Sequence, residues 1–165
     1  FEPQYGLANY ILQLLNLPKS QWLQSSDTAM TAVILVTIWK GFGWAMIFYL
    51  TALEKVPKEL YEAASVDGAG RWQKFKSITL PLISPTTFFL TIITTIDSIK
   101  AYDQIQVLTQ GGPSGSTRTI LYLYYQTAFE NFDIGQATAI AVVLLIIVGC
   151  LSSIQFIASK KWVHY

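Results

Sequence analysis

Charge is what this chain of 165 residues has least of: Asp, Glu, Lys and Arg make up 13% of it, where soluble domains carry roughly a quarter. With 52% hydrophobic residues and a mean hydropathy of +0.40, the deficit points to a membrane. The net charge is only +1 and no Lys/Arg cluster occurs, which excludes a strongly basic nucleic-acid binder. Cysteine is nearly absent. Cys150 is alone and lies inside an apolar run, so neither an internal disulfide nor a Cys-rich metal site can form. The single histidine, His164, is the penultimate residue, and catalysis by a nucleophile, a histidine and an acid has almost no raw material. There is no initiator Met and nothing near Phe1 reads as a signal peptide, so the chain is expected to be a piece of something longer.

What the sequence does hold is long apolar runs. Residues 5–17 place Leu7, Tyr10, Ile11, Leu14 and Leu15 at helical spacing, the mark of an amphipathic helix. Pro18 should end it, and Trp22 follows where a membrane–water boundary is expected, which favours an interfacial helix over a soluble-core one. Ala29 to Leu53 is long enough to cross a bilayer and contains one charge, Lys40, with Gly41 and Gly43 beside it. Ser77 to Ile96 is an uncharged run of 20 residues, with Asp97 and Lys100 beyond, and Gln136 to Ser159 is uncharged over 24. The expected fold is therefore all-α and integral to the membrane. Three spans, at about residues 29–53, 82–108 and 136–159, flank a loop at residues 54–81.

Between the last two spans, Thr109-Gln-Gly-Gly-Pro-Ser-Gly-Ser reads as a turn-rich loop. Ile120 to Phe132 then crowds Tyr122, Tyr124, Tyr125, Phe129 and Phe132, suited to an interfacial aromatic belt, with an aromatic ligand site as the sharper alternative. The positive-inside bias sets orientation. Lys55, Lys58, Arg71, Lys74 and Lys76 sit in the loop, and Lys160 and Lys161 in the C-terminal tail, against Lys19 and Arg118 opposite, with Lys100 near the edge. Loop and tail are thus expected on the cytoplasmic side, and the N-terminal segment and the Gly-Gly-Pro loop outside.

The loop is a charged, glycine-broken island. Pro57 can open a helix that Lys58 to Val66 continue. Gly68 and Gly70 would stop it by taking positive φ, and a second short helix from Arg71 to about Ser77 would carry Trp72 and Phe75 until Pro81 ends it. Glu62-Ala63-Ala64, then Asp67-Gly68-Ala69, then Ile78-x-Leu80-Pro81, closely resembles the "EAA" cytoplasmic loop of permease subunits in binding-protein-dependent ATP-binding-cassette importers. Further on, Thr109 to Pro113, Ser116-Thr117 and Tyr124 to Phe129 are similar to the outer loop of carbohydrate permeases of the maltose-transporter kind. The ending, Gln155-Phe156 through Lys160-Lys161-Trp162, resembles the first permease of the pair. The match corresponds to the C-terminal half of a six-span subunit.

That resemblance implies a non-enzymatic permease subunit of a bacterial inner membrane. A second permease subunit would close the path with it, two ATPase subunits would grip the loop, and an extracytoplasmic solute-binding protein would deliver cargo. No cofactor is expected on this chain: it has no Gly-x-x-x-x-Gly-Lys-Ser/Thr, so ATP would be bound by partner subunits. The implied ATPase-coupling residues are Glu62, Ala63, Ala64, Asp67, Gly68 and Ala69. The family's cargo contacts fall on Thr37, Lys40, Gly41 and Trp44 before the loop, and on Thr94, Asp97, Ser98 and Ala101 after it. Thr37, Ser98 and Ala101 replace the family's sugar-binding amides, so the match does not extend to one particular sugar. Other cargo such as a phosphorylated polyol, for which Lys40 offers a cation, and a membrane scaffold without transport are the competing readings.

Lys40 lies 13 residues from Leu53 and Asp97 lies 15 from Leu82, roughly 20 and 22 Å from the same face at a rise of about 1.5 Å per residue. Charges at such depth should face protein or water. An ion pair between them across the helices is expected when the path is empty, with Asp97 and Lys100 on one helix as the alternative.

Overall fold

The computed structural model describes residues 1–160; Lys161 and Trp162 of the expected tail signature lie outside them. All regular secondary structure among the described residues is helical, without strands, and turns and loops join the helices. In chain order the helices are α1 (Leu7–Leu14), α2 (Ala29–Glu54), α3 (Lys58–Val66), α4 (Arg71–Lys74), α5 (Leu80–Leu82), α6 (Ser84–Ile99), α7 (Asp103–Leu108), α8 (Ile120–Tyr125) and α9 (Ile134–Ser159). Two of them, α2 and α9, are each 26 residues long and apolar enough to cross a membrane. The third expected span is a bent pair, Arg71–Leu82 and Ser84–Ile99, turned by 61° at Ile83. It counts as one span only if the two arms are taken together.

Two places differ from the expected helix ends. Pro81 does not stop the helix after the loop: a π-helical turn at Phe75–Thr79 precedes it, and helix continues through Leu82. A proline ring collides with the carbonyl four residues back, and a wider turn just before it relieves that clash. The bend then falls at Ile83, between Pro81 and Pro85, where two backbone N–H groups are missing. Nor is residues 82–108 one helix. The chain leaves helical geometry at Tyr102 (φ −131°, ψ −54°), and the Thr119 hydroxyl donates to the Ala101 carbonyl at 2.6 Å.

The chain divides into two compact units. One comprises Phe1–Lys40 with Asp97–Ile147. Its core is Val33, Ile105 and Tyr122, with Leu23, Ala101, Tyr102 and Leu108 packed around them. The turn-rich loop is tied internally by Thr117, fully buried, whose hydroxyl meets Thr109 Oγ1 at 2.7 Å and donates to the Gly112 carbonyl at 2.9 Å. Gly111 (φ +78°) has no room for a side chain: a Cβ there would stand 2.7 Å from the Tyr122 ring.

In the same unit α1 turns its polar residue inward and its apolar ones out. Leu7, Tyr10, Ile11 and Leu14 are exposed, whereas Asn9 is 2% exposed. The Asn9 amide donates to the Pro3 and Ser20 carbonyls at 2.8 and 2.7 Å. Its oxygen accepts from the Ser20 N–H at 3.0 Å and from Trp22 Nε1 at 2.8 Å. All four of its hydrogen-bonding positions are filled. The helix ends at Leu14, ahead of Pro18, because Asn16 takes the left-handed conformation (φ 55°) that asparagine tolerates.

The other unit comprises Gly41–Ile96 with the chain from Val148 onward. Hydroxyl and amide groups link its helices laterally. Tyr49 Oη donates to Thr87 Oγ1 at 3.3 Å between α2 and α6, and Gln155 Nε2 donates to Thr95 Oγ1 at 2.8 Å between α9 and α6. Phe48 packs on Phe89 and Phe88 on Phe156, with ring centroids 5.6 and 6.2 Å apart.

Candidate functional site

The loop between α2 and α6 is built by its own sequence. Pro57, extended at ψ 131°, starts α3, and Glu59 in the first turn suits the positive end of the helix dipole. At the other end Gly68 sits at φ +77°. The Ala69 N–H reaches the Ala64 carbonyl at 2.8 Å and the Gly68 N–H reaches Ser65 at 3.1 Å, the paired bonds of a Schellman helix end. Gly70 does not share that role. It is extended (φ −71°, ψ 167°) and simply precedes α4, so only one of the two glycines is required by backbone conformation.

Two side-chain ties hold the halves of the loop together. Lys74 Nζ donates to Ser65 Oγ, and the Tyr61 and Thr79 hydroxyls meet at 2.8 Å. Outside these ties the loop is open. Glu62, Ala63, Asp67 and Gly68 are exposed, Ala64 and Ala69 are half-buried, and Trp72 is 75% exposed, stacked on Phe75 at 5.5 Å. A cleft of about 180 Å³ is lined by Ala64, Asp67, Ala69, Lys74 and Ile78. Small side chains let another surface approach the backbone closely, and Glu62 offers a carboxylate to a basic partner group. All six expected coupling residues thus stand on one short helix–turn–helix.

The expected cargo residues divide between the units. Thr37, Lys40, Asp97, Ser98 and Ala101 belong to the first, and Gly41, Trp44 and Thr94 to the second. The Thr37 hydroxyl donates to the Val33 carbonyl at 2.8 Å and the Thr94 hydroxyl to that of Leu90 at 2.7 Å. Trp44 is 42% exposed and leans on Phe48, centroids 4.6 Å apart. A Cβ at Gly41 would meet nothing within 4 Å, so no contact among the described residues requires glycine there. Ala101 packs against the core and its carbonyl holds Thr119. Lys40 and Asp97 are both exposed, and no ion pair joins them, nor Asp97 to Lys100; the expected pairing is not formed.

The aromatic segment forms a chain of rings: Tyr102 to Tyr122 at 5.9 Å, Tyr102 to Tyr125 at 4.9 Å and Tyr125 to Phe129 at 5.4 Å. Burial pushes the Tyr122 phenol up, Glu130 adds to that, and Arg118 opposes it. Sequence reasoning passed over Tyr61, Thr79 and Asn9. The available signal was a polar residue inside an otherwise apolar stretch: Thr79 stands between Ile78 and Leu80, and Asn9 between two helical apolar positions.

Residues 5–161 match the family model described as "binding-protein-dependent transport system inner membrane component". The sn-glycerol-3-phosphate transport system permease protein UgpA of Agrobacterium fabrum is 36% identical over 168 residues, covering 100% of this chain and 56% of that protein. The trehalose/maltose transport system permease protein MalF of Thermococcus litoralis is 38% identical over 146 residues, covering 87% of this chain and 49% of the relative. Among solved structures, the bacterial alginate ABC transporter in complex with alginate pentasaccharide-bound periplasmic protein superposes with a TM-score of 0.82. That match has 27% identity and covers 96% of this chain and 56% of the other. The chain spans about half the length of the curated relatives it matches. By the extent of the family match and by these identities, the chain belongs to the inner membrane components of binding-protein-dependent transport systems.

Proposed function

We propose that this chain is the C-terminal half of a permease subunit in an ATP-driven importer, with a sugar as cargo and no catalytic activity of its own. Its partners in this reading are a second permease subunit, two ATPase subunits that bind the ATP, and an extracytoplasmic solute-binding protein. The observation that carries the reading is the exposed loop from Glu62 to Ala69, whose Schellman turn at Gly68 displays small residues and two carboxylates, Glu62 and Asp67, on a helix pair tied by side chains. A rigid element between membrane helices can pass on a rigid-body movement. The relatives add support through their printed names, which include a trehalose/maltose permease and a transporter for the polysaccharide alginate. Residues 54–81 and the C-terminus then face the cytoplasm and Ser114 the outside. Cysteines at Gly70 and at Ser114 should be labelled only from those respective sides.

Uptake decides the matter. Cells lacking the gene for this chain should lose energy-dependent accumulation of a labelled sugar, and Glu62→Lys should restore it poorly with reduced assembly of the ATPase. Undiminished uptake in both would contradict the assignment, and a membrane scaffold would be the surviving account. One observation favours a second cargo class: Lys40 is exposed on apolar α2 without an ion-pair partner, and a relative is named for sn-glycerol-3-phosphate. Competition between unlabelled maltose and glycerol phosphate separates the two.

A further inference from the structure

Three threonines spaced eight residues apart, Thr79, Thr87 and Thr95, each meet a side chain from a different element of their unit. Tyr61 of α3 meets Thr79, Tyr49 of α2 meets Thr87, and Gln155 of α9 meets Thr95. The later two in chain order act alike, and Thr79 differs from them. Thr95 sends its own O–H back to the Thr91 carbonyl at 2.7 Å and Thr87 sends its own to Ile83 at 3.2 Å, so both serve their neighbours as acceptors. Thr79 lies in the π-helical turn, and its hydroxyl meets the Tyr61 hydroxyl at 2.8 Å, either of the two serving as donor. It is also buried, 8% exposed, so water competes poorly for the contact.

We infer that the Tyr61–Thr79 hydrogen bond is a positioning latch. It fixes α3, which carries Glu62 and the two alanines after it, to the helical segment that continues into α6. The inference rests on the coupling role proposed above. The backbone alone would not secure this. Between α3 and α4 the chain passes through Gly68, Ala69 and Gly70, a segment with two glycines and little to resist hinging. Lys74 to Ser65 is the other tie across it, but Ser65 is exposed, where a lysine–hydroxyl contact exchanges readily with water. The hydroxyl pair, with Thr79 buried and Tyr61 half-buried, is the tie that would persist when a partner pulls on α3. Through Thr87 and Thr95 the same segment is linked to α2 and α9, so a displacement of α3 reaches the helices of its unit together.

The test uses the complete importer, both permeases and the ATPases, reconstituted with its binding protein. Tyr61→Phe and Thr79→Val remove the latch with little change of shape, and Thr79→Ser keeps the hydroxyl. Tyr61→Phe should assemble and hydrolyse ATP, yet consume severalfold more ATP per solute moved, because losing one hydrogen bond shifts the ratio of latched to open loop roughly fivefold and an open loop hydrolyses without moving solute. Thr79→Ser should retain the wild-type ratio. A second readout needs no transport: the distance distribution between spin labels at Glu59 and Leu80 should broaden in Tyr61→Phe and stay narrow in Thr79→Ser. If Thr79→Val does not assemble, the other two variants decide. An unchanged ratio and an unchanged width in Tyr61→Phe overturn the latch. Absence of ATP-driven uptake in the wild type, with the width change present, would instead strike the proposed function and leave the latch standing.

Discussion

Gly68 is where a single residue matters most. Its φ of +77° belongs to the left-handed region, while a Cβ there would meet nothing within 4 Å, so any penalty for a side chain is conformational rather than steric. Gly68→Ala should therefore lower stability by about 1–2 kcal/mol, and Gly68→Val by more, because a β-branched residue is worse suited to positive φ. Gly70→Ala and Gly41→Ala meet neither strain nor contact and should leave the melting temperature within about a degree or two. Thermal unfolding of the purified importer checks the ordering, and of the two loop glycines only Gly68 should lower uptake when substituted. Lys40 and Asp97 supply a second residue-scale prediction. Since no ion pair joins them, neutralising one should not rescue loss of the other. Asp97→Asn and Lys40→Met should combine additively in uptake, within about 0.5 kcal/mol of the summed single effects. Rescue in the double mutant would show that the pairing forms in the working cycle.

Among the elements, α1 makes the clearest prediction. Its exposed apolar side was legible from Leu7, Tyr10, Ile11 and Leu14, since helical periodicity needs only residue type and spacing. The buried Asn9 that clamps it was not, because its partners Pro3, Ser20 and Trp22 come together only after the chain folds back. Asn9→Ala strands the Ser20 N–H and the Trp22 indole N–H, and should cost about 2 kcal/mol. In a variant keeping Trp22 as its sole tryptophan, fluorescence should shift to the red as the indole loses its fixed partner; an unmoved spectrum would contradict the clamp. The same contrast holds elsewhere. The runs at Ala29–Leu53 and Gln136–Ser159 became α2 and α9 with ends displaced by one or two residues, because twenty-odd apolar residues leave little choice but helix. The π-helical turn before Pro81, the bend at Ile83 and the break at Tyr102 depend on how carbonyls and hydroxyls are satisfied locally, which periodicity does not encode.

For the molecule as a whole, the backbone geometry of the proposed coupling loop was legible in the sequence, and the surroundings of the proposed cargo residues were not. Glu62 to Ala69 is a contiguous motif whose geometry follows from local capping, so sequence alone nearly determines it. The expected cargo residues are scattered over α2, α6 and the turn after it, and five of the eight carry hydroxyls, glycine or a packed alanine whose use depends on what surrounds them. The central claim, that residues 54–81 are the point where the ATPase drives the permease, is tested most directly by disulfide cross-linking in the assembled, transport-competent importer. A single cysteine at exposed Ala63, paired in turn with cysteines along the ATPase surface, should give a cross-link that changes yield between the ATP-bound and nucleotide-free states. A cysteine at exposed Ser114 should give none. Intact uptake without any cross-link from Ala63, or a cross-link from Ser114, would contradict the account.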